Sequence, residues 1–76
     1  MSDGKYKVAA SAYELFLNTY RQYPQREQVE LILGLTYARY LSRRQRAKEL
    51  LNAALARLSD PEQKALAQQT IDEIRD

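Results

Sequence analysis

PQREQVELILGLTYARYL, residues 24–41, is the stretch on which the fold turns. Pro24 has no backbone N–H and biases Tyr23 toward extended dihedrals, so a helix arriving from the amino side must stop before it. Beyond it, Val29, Leu31, Ile32, Leu33, Leu35, Tyr37, Ala38, Tyr40 and Leu41 fall at spacings that go most of the way around a helix. A helix apolar on so many sides is covered by neighbours on several of them. The stretch predicts a central helix over 26–41 in an all-α fold.

Working outward, Val8, Ala9, Ala12, Tyr13, Leu15, Phe16, Leu17 and Tyr20 keep the i, i+3, i+4, i+7 spacing of an amphipathic helix, placed over 5–22. Residues 1–4 read as a frayed terminus or an expression remnant. On the carboxyl side, Ser42-x-x-Gln45 has the form of a capping box, and Ala47, Leu50, Leu51, Ala54, Leu55 and Leu58 supply the stripe of a helix over 43–58. Asp60-Pro61 followed by Gln63 marks another start, with proline at the first helical position where its missing N–H is harmless. That last helix is expected over 61–75, with a narrow stripe of Ala65, Leu66, Ala67, Ile71 and Ile74 that suits the edge of a core. Connections of a few residues force sequential neighbours to run antiparallel. The expectation is one helical domain over 5–76, built of antiparallel hairpins.

Composition narrows the function classes. The 76 residues include no Cys and no His, which removes the usual nucleophile, the usual general base and the two best transition-metal ligands. No enzyme activity, cofactor or metal site is expected. The longest apolar run, Leu31 to Leu35, is far short of the ~20 residues of a membrane span. A net charge of +2 points to no particular partner, and the cellular compartment stays open between cytoplasm and the soluble part of a larger protein.

At this point the residues show a resemblance. Ala12, Phe16 and Thr19 followed by Pro24, then Leu33-Gly34 and Tyr37, then Ala47, Leu51 and Ala54, resemble the tetratricopeptide repeat, a 34-residue helix-turn-helix unit with the pattern W-x2-L-G-x2-Y, A-x3-F-x2-A and a final proline. Glu30 stands where the family often has tryptophan, and the third helix fits if the turn before it holds one extra residue. The match spans Ala12 to Ala54, with the fourth helix as a cap. The resemblance implies a right-handed stack of hairpins and a protein-binding role. It also implies that Leu33, Gly34 and Tyr37 pack within the repeat, while Leu31, Ile32, Leu35 and Ala38 turn toward the groove that such repeats present to ligands. Gly34 is expected where another backbone, near Ala47, comes close. Fewer than the three repeats normally needed for independent stability makes association an expectation.

The candidate binding surface is therefore Leu31, Ile32, Leu35 and Ala38 with two tyrosines, Tyr13 and Tyr20. Its occupant is a partner protein, a peptide or a second copy of the chain, unless the first and fourth helices cover it. Tyr6, Tyr13 and Tyr20 recur every seven residues along one stripe of the first helix, as interface anchors or as packing at a helix seam. The alternative is nucleic-acid binding through the basic turn Arg39, Arg43, Arg44 and Arg46, extended by Lys48, although no nucleic-acid motif accompanies it. Glu30 is the one acid set in an apolar helix, and pairing with Arg26, Arg46 or Lys64 is expected there.

Overall fold

Asp60 and Pro61 start a helix as their chemistry predicts. The Asp60 carboxylate accepts from the Glu62 N–H at 2.9 Å, and the proline occupies the first turn. In the computed structural model, which describes residues 2–74, four α-helices follow one another: α1 Ser2–Thr19, α2 Arg26–Thr36, α3 Arg44–Arg57 and α4 Pro61–Glu73. No strand occurs among the described residues.

The boundaries differ from expectation in instructive ways. α1 begins at Ser2, so the start expected to fray is helical from there; a single glycine such as Gly4 costs about 1 kcal/mol, too little to stop the helix that follows. It ends at Thr19, earlier than 22, because the chain tightens ahead of Pro24: Tyr23 N–H bonds Tyr20 C=O at 3.2 Å and Arg26 N–H bonds Tyr23 C=O at 3.1 Å. α4 ends at Glu73, and the expected last position, 75, lies outside the described residues.

The largest departure follows α2. From Tyr37 to Leu41 the helix widens into a π turn, and Ser42 closes it in the left-handed region at φ 54°. The N–H groups of Ser42 and Arg43 both reach the Tyr37 carbonyl, the latter at 3.1 Å. Ser42 is thus a stop signal and not the expected cap. Arg43 takes the cap position of α3 with no side-chain hydrogen bond, so the Ser42–Gln45 box does not form. Gln63 does not close its box either. It exchanges two hydrogen bonds with Gln28, at 2.8 and 2.9 Å, which fasten the start of α4 to the first turn of α2.

Packing divides the apolar residues into two clusters. Ala10 and Leu17 of α1 meet Leu33, Tyr37, Ala47 and Leu50 in one; Leu31, Leu51, Ala54, Leu58 and Ala67 form the other, and Ile74 packs against both. α2 and α3 contribute to both clusters and make the most extensive contact in the molecule. A Cβ on Gly34 would stand 2.8 Å from Cγ and Cδ2 of Leu51 and 3.4 Å from Cβ of Leu50. The close approach expected at Gly34 is real, but the neighbours are the Leu50 and Leu51 side chains; Ala47 lies a turn earlier on α3, in the cluster that holds Tyr37.

α1 packs on α2 and the π turn, α4 on α3 and, less extensively, on α2; α1 and α4 share no substantial contact among the described residues. The four helices form a compact globule with α2 and α3 at its centre. Its extents of 34 × 30 × 19 Å fit a slab two helices thick, since a helix with its side chains measures about 10–12 Å across.

Candidate functional site

Placing α2 at the centre decides the fate of the expected surface. Leu31 is only 5 % exposed and belongs to the second core cluster, and Leu35 packs against that cluster. Ala38 and Tyr13 pack against the first. Leu31 is thereby corrected from surface to core, and Leu35, Ala38 and Tyr13 are half-buried packing residues, because α1, α3 and α4 cover most sides of α2. Ile32, 46 % exposed, and Tyr20 remain outside.

The two most exposed large apolar side chains lie on α1. Val8 and Leu15 are 71 % and 68 % exposed, seven residues apart on the side of α1 away from Ala10 and Leu17, with Ala12 exposed between them. Beside this strip, Ala12, Tyr13, Phe16 and Val29 line an apolar cleft of about 290 Å³ between α1 and α2. Ile32 follows Val29 by three residues, so it stands next to the cleft along α2. The Phe16 ring meets Tyr20 and, edge-on, Tyr23, both at 5.0 Å between centroids, which extends the apolar area around the end of α1. Val8 and Leu15 escaped the sequence reading because their spacing is that of any amphipathic helix. Which side of α1 faces its neighbours is decided by α2 and α3.

The three tyrosines at seven-residue spacing follow the seam that α1 makes with α2 and the π turn. Tyr6 stacks on Tyr40 of the π turn with centroids 3.9 Å apart and planes 3° from parallel, Tyr13 lines the cleft, and Tyr20 lies against Phe16. The neighbouring Tyr40 holds the Tyr6 hydroxyl above its ordinary pKa.

Two carboxylates set into the helix faces position these elements. Glu14, four residues after Ala10 and three before Leu17, receives a bidentate fork from Arg46, with Nη2 to Oε1 at 2.7 Å and Nε to Oε2 at 2.9 Å. The Tyr37 hydroxyl donates to the same Oε2 at 2.8 Å, so α1, the π turn and α3 meet at one carboxylate. The Arg46 fork holds the Glu14 carboxyl below its ordinary value against opposing desolvation, and burial followed by the bond to Glu14 pushes the Tyr37 hydroxyl up. Glu30 pairs with Arg26 at 3.0 Å, the first of the expected partners, and Arg26 Nη1 donates to the Leu17 carbonyl at 2.9 Å, which ties the end of α1 to α2. Glu30 Oε1 is buried without a hydrogen-bond partner. Sequence reading missed Glu14, whose partner Arg46 lies on another helix.

The basic turn is divided between two hollows that share Arg44. Arg39 and Arg44 line a cleft with Ala38, Thr70, Glu73 and Ile74, so an acid of α4 shares it. Arg43, Arg44 and Arg46 do come together around a hollow at the start of α3, but Glu49 stands in it and bonds Arg46 at 3.1 Å while Glu14 takes the rest of that guanidinium. Among the described residues there is no group of three or more His, Cys, Asp or Glu placed to hold a metal ion, and no helix is long and apolar enough to cross a membrane. Comparison with protein-family profiles, with curated proteins and with solved structures finds no match to this chain.

Proposed function

We propose that this chain is a protein-binding module that receives an amphipathic helical segment, from a partner protein or a second copy, on the α1–α2 face. The observation that carries the reading is the exposure of Val8 and Leu15 beside the apolar cleft of Ala12, Tyr13, Phe16 and Val29. Apolar residues exposed singly need no explanation, but a strip that adjoins an apolar cleft and an aromatic cluster is the form of a docking groove. Leu15 and Phe16 are its anchors, because a few central apolar and aromatic residues carry most of the energy of such contacts.

A tetratricopeptide-like architecture belongs to the same proposal. It is supported by the lack of substantial contact between α1 and α4 among the described residues, by the contact of α4 with α2 across one intervening helix, and by Gly34 and Tyr37 standing in the α2–α3 packing. The repeat pattern needs one extra residue before α3, and a π turn, wider than an α turn, lies there. The nucleic-acid alternative has weaker support, since Arg46 is engaged by two carboxylates and Arg39 and Arg44 share their cleft with Glu73.

Sedimentation across a concentration range, followed by selection from a library of amphipathic helical peptides, tests the proposal with wild type and V8S/L15S. The expected result is self-association or peptide capture by the wild type that the double variant loses by at least tenfold. A wild type that stays monomeric at millimolar concentration and selects no peptide dependent on Val8 and Leu15 would overturn it.

A further inference from the structure

On the other side of α1 from the apolar cleft, Lys7, Ala10, Ser11, Tyr37, Leu41 and Arg43 line a cavity of about 390 Å³. That volume lies in the ordinary range of small-ligand pockets, roughly 300–1,000 Å³. Its wall holds two cations, the hydroxyls of Ser11 and Tyr37, the latter already donated to Glu14, and no carboxylate. Lys7 and Ser11 are one helical turn apart and therefore neighbours on α1. Neither Lys7 nor Arg43 has a carboxylate partner among the described residues. Glu14, one turn beyond Ser11, is taken up by Arg46 and the Tyr37 hydroxyl, so its charge is already answered.

The backbone at this place is unusual twice over. The π turn Tyr37–Leu41 forms one side of the cavity through Tyr37 and Leu41, and the residue that presents Arg43 is a serine in the left-handed region. π turns are frequent at functional sites, and a non-glycine residue at positive φ is strained unless its surroundings hold it there. Both irregularities lie beside the cavity, whose lining brings the like charges of Lys7 and Arg43 to one place. An oxyanion between them removes that conflict: the guanidinium offers a planar fork, the ammonium a compact charge, and the serine a neutral donor.

We infer that the cavity between Lys7, Ser11 and Arg43 binds a phosphate monoester, as free phosphate or as the phosphoryl group of a small molecule whose remaining atoms occupy the apolar wall of Ala10 and Leu41. The dianion matches the two cations, and the volume exceeds what a bare phosphate needs. A phosphodiester, with a single charge per group, answers only one of them.

The test is a titration of the isotope-labelled protein with inorganic phosphate, then with glycerol 3-phosphate, at constant ionic strength set with chloride, followed by NMR at the Ser11 and Arg43 amides and the Arg43 Nε. Saturable shifts with phosphate, weakened at least fivefold in both K7Q and R43Q and unchanged in R57Q at the far end of α3, support the inference. Tighter binding of glycerol 3-phosphate assigns the source to a small molecule, and equal binding to the free ion; either keeps the site. Shifts that chloride alone reproduces, or that survive both substitutions, overturn it. So does a thymidine oligomer that binds more tightly than phosphate and moves Arg39 and Arg44 together with Arg43, which would make the surface one for nucleic acid. Lys7 and Arg43 are exposed, and unchanged helical dichroism in each variant separates loss of the site from loss of the fold.

Discussion

Single residues in this protein carry their weight through charge and backbone conformation. Glu14 is held ionised by Arg46 and lies below the ordinary carboxylate value of 4.5, so the folded chain binds fewer protons than the unfolded one as acid is added. Its contribution is complete above that value and fades as pH falls through the lowered one. Glu14→Gln should therefore lower stability by about 1–2 kcal/mol near neutrality, given a pair that water partly screens, and flatten the acid limb of stability against pH below about 5. Urea unfolding at a series of pH values measures both; parallel acid limbs would show that the pair does not act. Ser42 is the second such residue. Its left-handed backbone is one that glycine enters freely, so Ser42→Gly should raise the urea midpoint by the equivalent of about 0.5–1 kcal/mol. A fall instead would mean that the serine side chain holds the turn. Of these details the sequence showed Glu30, whose setting in an apolar helix announced a pairing with Arg26, Arg46 or Lys64, of which Arg26 is the one formed, but not Glu14, whose partner lies thirty-two residues away on α3.

Among the elements, α2 and α3 are the pair on which the fold depends, and Gly34 sets how near they lie. Alanine there would gain about 1 kcal/mol of helix propensity but drive its methyl into Leu51, which is fully buried and has no space to retreat. Gly34→Ala is expected to lose about 1–3 kcal/mol in chemical unfolding, with a smaller loss when Leu51 is also cut back to alanine than the two single losses would sum to. Strict additivity would place the strain elsewhere. Helix existence and order were legible from periodicity, and so were the breaks at Pro24 and at Asp60-Pro61, because those residues act through local backbone chemistry. The break between α2 and α3 was legible only in position. Ser-x-x-Gln looks the same whether it caps a helix or follows a π turn, and a one-residue widening leaves no mark in a hydrophobic pattern.

For the whole molecule, the order of stacking settles which apolar residues face water, and that order is non-local. Leu31, Leu35 and Ala38 were candidates for an open surface only while the positions of the other helices around α2 were unknown; once placed, those helices bury Leu31, half-cover Leu35 and Ala38, and leave Val8 and Leu15 outside. α1 is thus bounded by an apolar strip, a seam of tyrosines and a cationic cavity, and it joins the rest through α2, the π turn and the Glu14–Arg46 pair. The parallel Tyr6–Tyr40 stack spans the amino-terminal end of this attachment. Because the chain contains no tryptophan, its near-ultraviolet dichroism comes from its six tyrosines and one phenylalanine, and two phenols stacked 3.9 Å apart couple their transitions. Detachment of the start of α1 therefore has an optical signature of its own, which far-ultraviolet helix content does not share.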